Sequence, residues 1–285
     1  MTALRNHLET LLADWKGDLS PAWQVFFAGV EPQFSAVGTD FTFDPAYPVI
    51  PPRKGHPVAG APGGAHIFRA FDGVGPGQVR VVVIGQDPYP DRRKATGRAF
   101  EDGSIVSWTG PVAASLKSLL QSASALRLGE PALGQSSAGW PTIRQRIVAG
   151  SYSLEPIGTW FDRLQQSNGV MFVNAGWTLT RFVSGASAEQ KAHIAMWQPV
   201  VARLLGELSA RADRKLVFLL LGKFAQSLFD ATGIEAKARA AGRWGIAVAR
   251  IDHPHPNAPG YFSQPNPLER VNQALAAMSS SAVDW

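Results

Sequence analysis

The sequence predicts an α/β fold: a central, twisted, four-stranded parallel sheet with helices on both faces. Three observations lead there. Short runs of β-branched and aliphatic residues at 79–84, 170–173, 216–221 and 246–251 have the nearly continuous apolar character of strands buried on both sides. Segments with helical periodicity lie between them, the alternation that produces a parallel sheet. Each run also stops in polar residues: Gly85-Gln86-Asp87, Asn174, Gly222-Lys223 and Asp252-His253. Ligands of open parallel sheets bind outside the carboxyl ends of the strands. The four endings therefore point to one cleft lined by Gln86, Asp87, Asn174, Lys223 and His253.

Taken in order, Thr2 is the expected cap of a first helix whose apolar stripe is Leu4, Leu8, Leu11, Leu12 and Trp15. Ser20-Pro21 starts a second, burying Trp23, Phe26, Phe27 and Val30. Together they form an N-terminal helical region over about residues 1–35. A Pro- and Gly-rich loop follows near 36–64, and order resumes at 67–71. The glycines of GVGPG at 73–77 precede a strand rather than follow one, so they do not form a dinucleotide-binding loop. After the first strand comes the turn Pro88-Tyr89-Pro90, then the most basic stretch of the chain, with Arg92, Arg93, Lys94 and Arg98. A helix is expected at 111–128, a second long loop near 130–155 carrying Arg144 and Arg146, and a short helix at about 159–166. Further helices are expected at 188–208, opened by a Ser187/Gln190 capping box, at 223–231, and at 267–278. Residues 1–285 read as one domain.

Composition narrows the function. Lys and Arg total 27 against 22 Asp and Glu, a net charge of +5 that suits a polyanionic partner such as nucleic acid. Cysteine is absent, which excludes a disulfide framework, a thiolate nucleophile, Cys-ligated zinc and iron–sulfur clusters. No apolar run approaches ~18 residues and no basic-then-apolar leader opens the chain, so a cytoplasmic protein without a membrane partner is expected.

The strand-end motifs, taken together and in this order, resemble those of the family 1 uracil-DNA glycosylases. GQDPY at 85–89 is similar to that family's water-activating motif. Arg98-Ala99-Phe100 lies where the family carries its base-stacking phenylalanine. Asn174 ends an apolar strand as the family's uracil-reading asparagine does. LLLGKFAQ at 219–226 resembles the glycine-serine loop segment, and His253-Pro254-His255-Pro256 resembles the His-Pro-Ser-Pro loop. With Pro51-Pro52-Arg53-Lys54, residues 67–71 and the terminal Asp284-Trp285, the resemblance runs from Pro51 to Trp285.

The resemblance implies a monofunctional glycosylase, acting as a monomer on uracil-containing DNA, single- or double-stranded, with no cofactor and no metal. A base inside a duplex is out of reach and must be flipped into a pocket. Asp87 would stabilise the cationic sugar and position or deprotonate the attacking water. Neutral His253 would donate to uracil O2 as charge builds there. Uracil leaves as an anion, so a second, acidic carboxyl is unnecessary. Asn174 would read O4 and N3–H, Tyr89 would exclude the methyl group of thymine, Phe100 would stack on the base, and the backbone amides of Gln86 and Asp87 would face O2. The expected DNA contacts are Pro111, Ser115, Gly222, Lys223, His255, Pro256 and Asn257, with Arg144 and Arg146 from the second long loop.

Three positions depart from the pattern. Pro90 replaces the histidine that usually ends the first motif, His255 replaces the His-Pro-Ser-Pro serine, and Asn257 stands where a leucine normally wedges into the duplex. Arg144 or Arg146 is the expected substitute for that wedge. Two rival readings stay open on the sequence alone: a metal-dependent hydrolase using His253 and His255 as a ligand pair, and a DNA-binding homologue that has lost catalysis. A Ser-His-Asp hydrolase is disfavoured, because the chain contains no G-x-S-x-G elbow.

Overall fold

A computed structural model of the chain describes residues 2–182 and 188–285. Its sheet consists of β1 (Val81–Gly85), β2 (Val170–Asn174), β3 (Leu216–Leu221) and β4 (Val248–His253), all parallel and ordered β2-β1-β3-β4. In chain order the helices are α1 (Leu4–Leu11), α2 (Pro21–Phe26), α3 (Ala114–Leu128), α4 (Gly139–Val148), α5 (Ile157–Asn168), α6 (Ala188–Ala210), α7 (Lys223–Ala231), α8 (Ile234–Ala240) and α9 (Pro267–Ala277).

Every residue of β1, β2 and β3 is buried, as their unbroken apolar runs require. Strand alternation divides these side chains between two cores. Val82, Ile84, Met171, Val173, Phe218 and Leu220 pack with α1, α2, α6, α7 and α8 on one face. Val81, Val83, Val170, Phe172, Val217 and Leu219 pack with α3, α4, α5 and α9 on the other. The result is the expected helix–sheet–helix sandwich. The connection from β1 to β2 runs through α3, α4 and α5, whereas α6 carries the chain from β2 back across β1 to β3. The connections that leave the adjacent strands β1 and β3 run in opposite directions, to β2 and to β4, so the topological switch point lies between β1 and β3. Gly169 makes the turn into β2 possible: it is left-handed at φ 66°, and a Cβ there would lie 2.2 Å from the Gln78 carbonyl oxygen.

Several boundaries differ from expectation for identifiable reasons. The loop expected near 130–155 contains α4, whose Trp140 and Ile143 are buried against the second core. Gly139 and Pro141 hid it, although both fall in a first turn, where neither breaks a helix. α8 was not expected. β4 begins two residues late because Ile246 is 63% exposed and lies outside the sheet. Thr2 does not cap α1; Ala3 stands at the cap position, and the Leu4 N–H is satisfied by the Phe41 carbonyl at 2.8 Å. Trp15 belongs to a 3₁₀ turn (Trp15–Asp18) rather than to α1. Ser187 of the expected capping box lies outside the described residues. Among those residues no helix is long and apolar enough to cross a membrane.

The N-terminal helices serve the first core with aromatic bulk. Trp23 is fully buried, donates its indole N–H to the Val74 carbonyl at 2.7 Å, and meets Phe71 edge-on at 5.0 Å. This cluster lies on the sheet face away from α3 and α5. Trp23→Ala is therefore expected to cost about 3–5 kcal/mol, read as a lower denaturation midpoint in urea with an unchanged m-value, while activity per folded molecule stays at the parent level.

Candidate active site

The site grows from the ends of β1 and β2. Their ladder pairs Gly85 with Asn174, and it continues past the strands as Ala175 N–H donates to the Gly85 carbonyl and Gly176 N–H to the Gln86 carbonyl, both at 2.9 Å. Gly85 is required by close approach. A Cβ there would lie 2.4 Å from Asn174 Oδ1 and 2.8 Å from Ala99 Cβ. The missing side chain lets the Asn174 amide, 4% exposed, lie over the end of β1. Beyond it opens a cavity of about 180 Å³ lined by Asp87, Tyr89, Phe100, Ser115, Asn174 and His255. The exposed Gln86, Pro90 and Asn257 also border it. At ~30 Å³ per water this is room for about six waters, the scale of one small heterocycle.

Two aromatics shape that space. Tyr89 is steered by its hydroxyl, which donates to the Phe100 carbonyl at 3.3 Å and pairs with Ser115 Oγ at 3.0 Å. Burial pushes its pKa up to about 12, so it stays a neutral phenol. Ser115 is itself buried, and its hydroxyl is engaged with Tyr89. Phe100 has a left-handed backbone at φ 66°, an uncommon and costly conformation for an aromatic residue. Its neighbours hold it there. Ala99 N–H donates to the Phe172 carbonyl at 3.1 Å, and Arg98 and Glu101, buried on either side, pair at 3.5 Å. Arg98 also donates to Gln165 Oε1 at 2.8 Å and to Asp162 at 2.6 Å. With the flanking side chains turned inward, the Phe100 ring is left to the cavity.

Asp87 is half-buried, and burial raises its carboxyl to about 6 from the usual 3.8. Its Oδ2 accepts a hydrogen bond from Gln190 Nε2, in the first turn of α6. Sequence reasoning saw Gln190 only as half of a capping box; the contact spans two elements that no local pattern connects.

The two histidines differ from expectation. His253 is 1% exposed, and its Nε2 donates to the Tyr261 carbonyl at 2.9 Å while its ring meets Tyr261 edge-on. It borders the neighbouring groove with Lys223 rather than the cavity around Asp87. Burial lowers its pKa to about 4, so the ring is neutral and its one N–H is already committed. His255 is the imidazole that lines the cavity. The Asn257 N–H donates to its Nδ1 at 3.1 Å, which leaves the proton of the neutral ring on Nε2. His255 is itself solvent-exposed, and partial desolvation of its ring lowers its pKa below the usual imidazole value. Gly222, left-handed at φ 94°, permits this placement, because a Cβ there would lie 2.9 Å from His255 Cβ. Each histidine has one ring nitrogen engaged, His255 Nδ1 by the Asn257 N–H and His253 Nε2 by the Tyr261 carbonyl. Among the described residues no cluster of three or more His, Cys, Asp or Glu side chains is disposed to hold a metal.

The remaining expected contacts divide into two groups. Pro111 and Lys223 are exposed, and Lys223 opens α7 beside the groove. Pro256 is buried, its carbonyl taken by Ser118 Oγ at 2.8 Å. Arg144 and Arg146 lie on α4 rather than on a loop, and neither lines the cavity. Arg146 is clamped by both carboxylate oxygens of Glu130, at 2.6 and 2.8 Å, and Arg144 donates to the Thr109 carbonyl.

The chain matches the model of the uracil DNA glycosylase superfamily over residues 72–276. It is 31% identical over 228 residues to the uracil-DNA glycosylase of Mycobacterium avium (strain 104), covering 79% of this chain and 80% of that one. To the uracil-DNA glycosylase of Lacticaseibacillus casei (strain BL23) it is 27% identical over 222 residues, with 77% of each chain covered. The crystal structure of mimivirus uracil-DNA glycosylase shares the fold with a TM-score of 0.58 at 18% identity, over 100% of this chain and 94% of that one. The wild-type UNG crystal structure from Nitratifractor salsuginis does so at 0.56 and 19%, over 98% of both chains. By the extent of the family match and by these relatives, the chain belongs to the uracil DNA glycosylase superfamily.

Proposed function

We infer that this chain is a uracil-DNA glycosylase, which hydrolyses the N-glycosidic bond of a flipped-out deoxyuridine and leaves an abasic site for base excision repair. One observation carries the reading: a carboxylate, an amide, two aromatics and an imidazole meet in a single cavity the size of one pyrimidine. Flipping brings the base there, Phe100 stacks on it, and Tyr89 stands against C5, where thymine carries a methyl group. The Asn174 amide gives its NH2 to O4 and accepts from N3–H. Cytosine presents the opposite pattern and leaves buried polar groups mismatched.

In the reaction the C1′–N1 bond breaks, with its electron pair departing on uracil N1. A water oxygen bonds to C1′, and its proton passes to Asp87. Ionised Asp87 stabilises the cationic sugar and orients that water. His255, which borders both the cavity and the adjoining groove, keeps its proton on Nε2, and that N–H stabilises the charge that develops on the base; its place in the lining supports His255 in the role that the motif alone suggested for His253. DNA is held around the mouth by the exposed Pro111 and Asn257, with Lys223 adding a cation, while the buried Ser115, Gly222 and Pro256 shape the rim behind them.

An oligonucleotide with a single uracil, incubated with the protein in EDTA and then cleaved with alkali, is expected to break at the uracil. Asp87→Asn should lower the rate about 10²–10⁴-fold. No scission from either single- or double-stranded substrate would leave a DNA-binding protein without catalysis, and activity abolished by EDTA would restore a metal-dependent reading. Ionised Asp87 is the working form, so the rate should fall about tenfold per pH unit below about 6 and level off above it. For stability the sign is reversed. The folded state binds this proton more tightly than the unfolded chain does, so the contribution of Asp87 is lost as pH rises through about 6. Asp87→Asn is accordingly expected to melt no lower than the parent at about pH 8. His255→Gln should cost about 10²–10³ in kcat, whereas His253→Gln should lower the melting temperature and leave kcat nearly intact. The reverse ranking would return His253 to the chemistry. Gly85→Ala should displace the Asn174 amide and cost on the order of 10²-fold in kcat/KM on uracil, with circular dichroism unchanged.

A further inference from the structure

We propose that Gln190 is the positioning residue for Asp87: a neutral donor, delivered by α6, that fixes the carboxylate and leaves its other oxygen to the cavity. The inference rests on the reading of Asp87 as the catalytic carboxylate. The side chain of Pro90, three residues beyond Asp87, offers no hydrogen bond at the position where the motif usually carries a histidine. A donor nevertheless reaches Asp87 from a distant part of the chain, for Gln190 Nε2 donates to Asp87 Oδ2 across 103 positions of sequence.

The placement of Gln190 is fixed by a buried polar ladder along one side of α6. Glu189, beside it, accepts from Thr180 Oγ1 and from the Arg181 N–H at 3.2 Å. One turn on, His193 is fully buried and bridges Thr178 and Thr180, each ring nitrogen 2.9 Å from a threonine oxygen. One turn further, Trp197 Nε1 donates to Thr178 Oγ1 at 2.8 Å. Residues 189, 193 and 197 recur at the helical spacing of four, so one face of the helix is tied to the segment 178–181. That segment continues directly from Asn174. The same ladder therefore sets the carboxylate against the uracil-reading amide, joining chemistry and recognition through α6.

An amide suits this task. It does not titrate, so the donor is present at every pH at which the protein is folded. It bonds the ionised carboxylate more strongly than the protonated one, and so opposes the upward push of burial. The titratable groups that share the cavity with Asp87 are Tyr89, Arg98 and His255. Glu189 and His193 stand on α6, and His253 at the end of β4. Arg98 is committed to Asp162, Gln165 and Glu101, Glu189 to Thr180, and His253 to Tyr261.

The test is uracil release from a single-stranded uracil oligonucleotide, measured from about pH 5 to 9, for the parent, Gln190→Met, Gln190→Glu and Asp87→Asn. Gln190→Met should move the acid limb of kcat upward by about one pH unit and lower the plateau about tenfold, with KM unchanged within about twofold. Gln190→Glu should move the limb further, because two carboxylates then share a site, and it decides the question should the methionine variant not fold. An acid limb that superposes on that of the parent, with activity scaled equally at every pH, would reduce Gln190 to packing and overturn the proposal. A rise in KM alone would overturn it as well. A parent that releases no uracil would instead sink the glycosylase reading, whereas an active parent with an inactive Asp87→Asn and parent-like Gln190 variants would sink only this inference.

Discussion

A sheet buried on both faces has only its strand ends left with which to meet a ligand. Here the constraint holds for three of the four strands: every position of β1, β2 and β3 is packed between the two helical layers. The carboxyl ends become the place where residues from distant parts of the chain can converge on open space. Because β1 is an inner strand flanked by β2 and β3, the cavity at its end lies beside the centre of the sheet rather than at its margin. Gly85 turns this topology into a site, because only a residue without a side chain lets Asn174 cross over the end of β1. Asp87, Tyr89 and Phe100 are placed relative to that junction.

Burial sets the charge state of each working group. It raises Asp87 toward neutrality while still leaving it ionised at neutral pH, keeps Tyr89 a phenol, and holds His253 neutral; the exposed His255 is lowered by partial desolvation alone. Asp87 carries the negative charge of the cavity, and Arg98, the cation that also borders it, is paired with Asp162 and Glu101. The acceptors that fix the other groups are uncharged backbone carbonyls, as with His253 on Tyr261 and Tyr89 on Phe100. A cation placed against Asp87 would have lowered its pKa and screened it from the developing positive sugar. A glutamine orients it without either cost.

What the sequence made legible was what repeats locally. Apolar runs announce strands, strand ends announce a cleft, and motif order points to a glycosylase. Asp87, Tyr89, Phe100 and Asn174 were each found in this way and meet in one cavity. The remainder depended on relations that local pattern does not carry. α4 was missed because Gly139 and Pro141 read as breakers unless their place in the first turn is known. Arg146 looked available for DNA until the fold brought Glu130 to it across 16 positions. The choice between His253 and His255 turns on which ring nitrogen is already satisfied, and that is decided by a carbonyl at Tyr261 and an N–H at Asn257. Gln190 was hidden more deeply still, because its partner lies in another strand's loop.

The three departures from the family pattern belong together once His255 is taken as the base-facing imidazole. If the working histidine stands two residues later than the motif suggests, less chain remains between it and the return into the core. That chain folds back at once: Ala258 N–H donates to the His255 carbonyl at 2.8 Å, and Tyr261 N–H to the Ala258 carbonyl at 3.0 Å. It is then pinned to α3 at two points, through Ser118 on the Pro256 carbonyl and Ser122 on the Tyr261 hydroxyl at 3.1 Å. Within this tied loop the exposed Asn257 serves through a backbone N–H that any residue except proline provides. The side chain at 257 is thereby released from the work a wedging leucine performs. Pro90 completes the same exchange at the other side of the cavity: the polar partner that its position does not supply is delivered to Asp87 from α6.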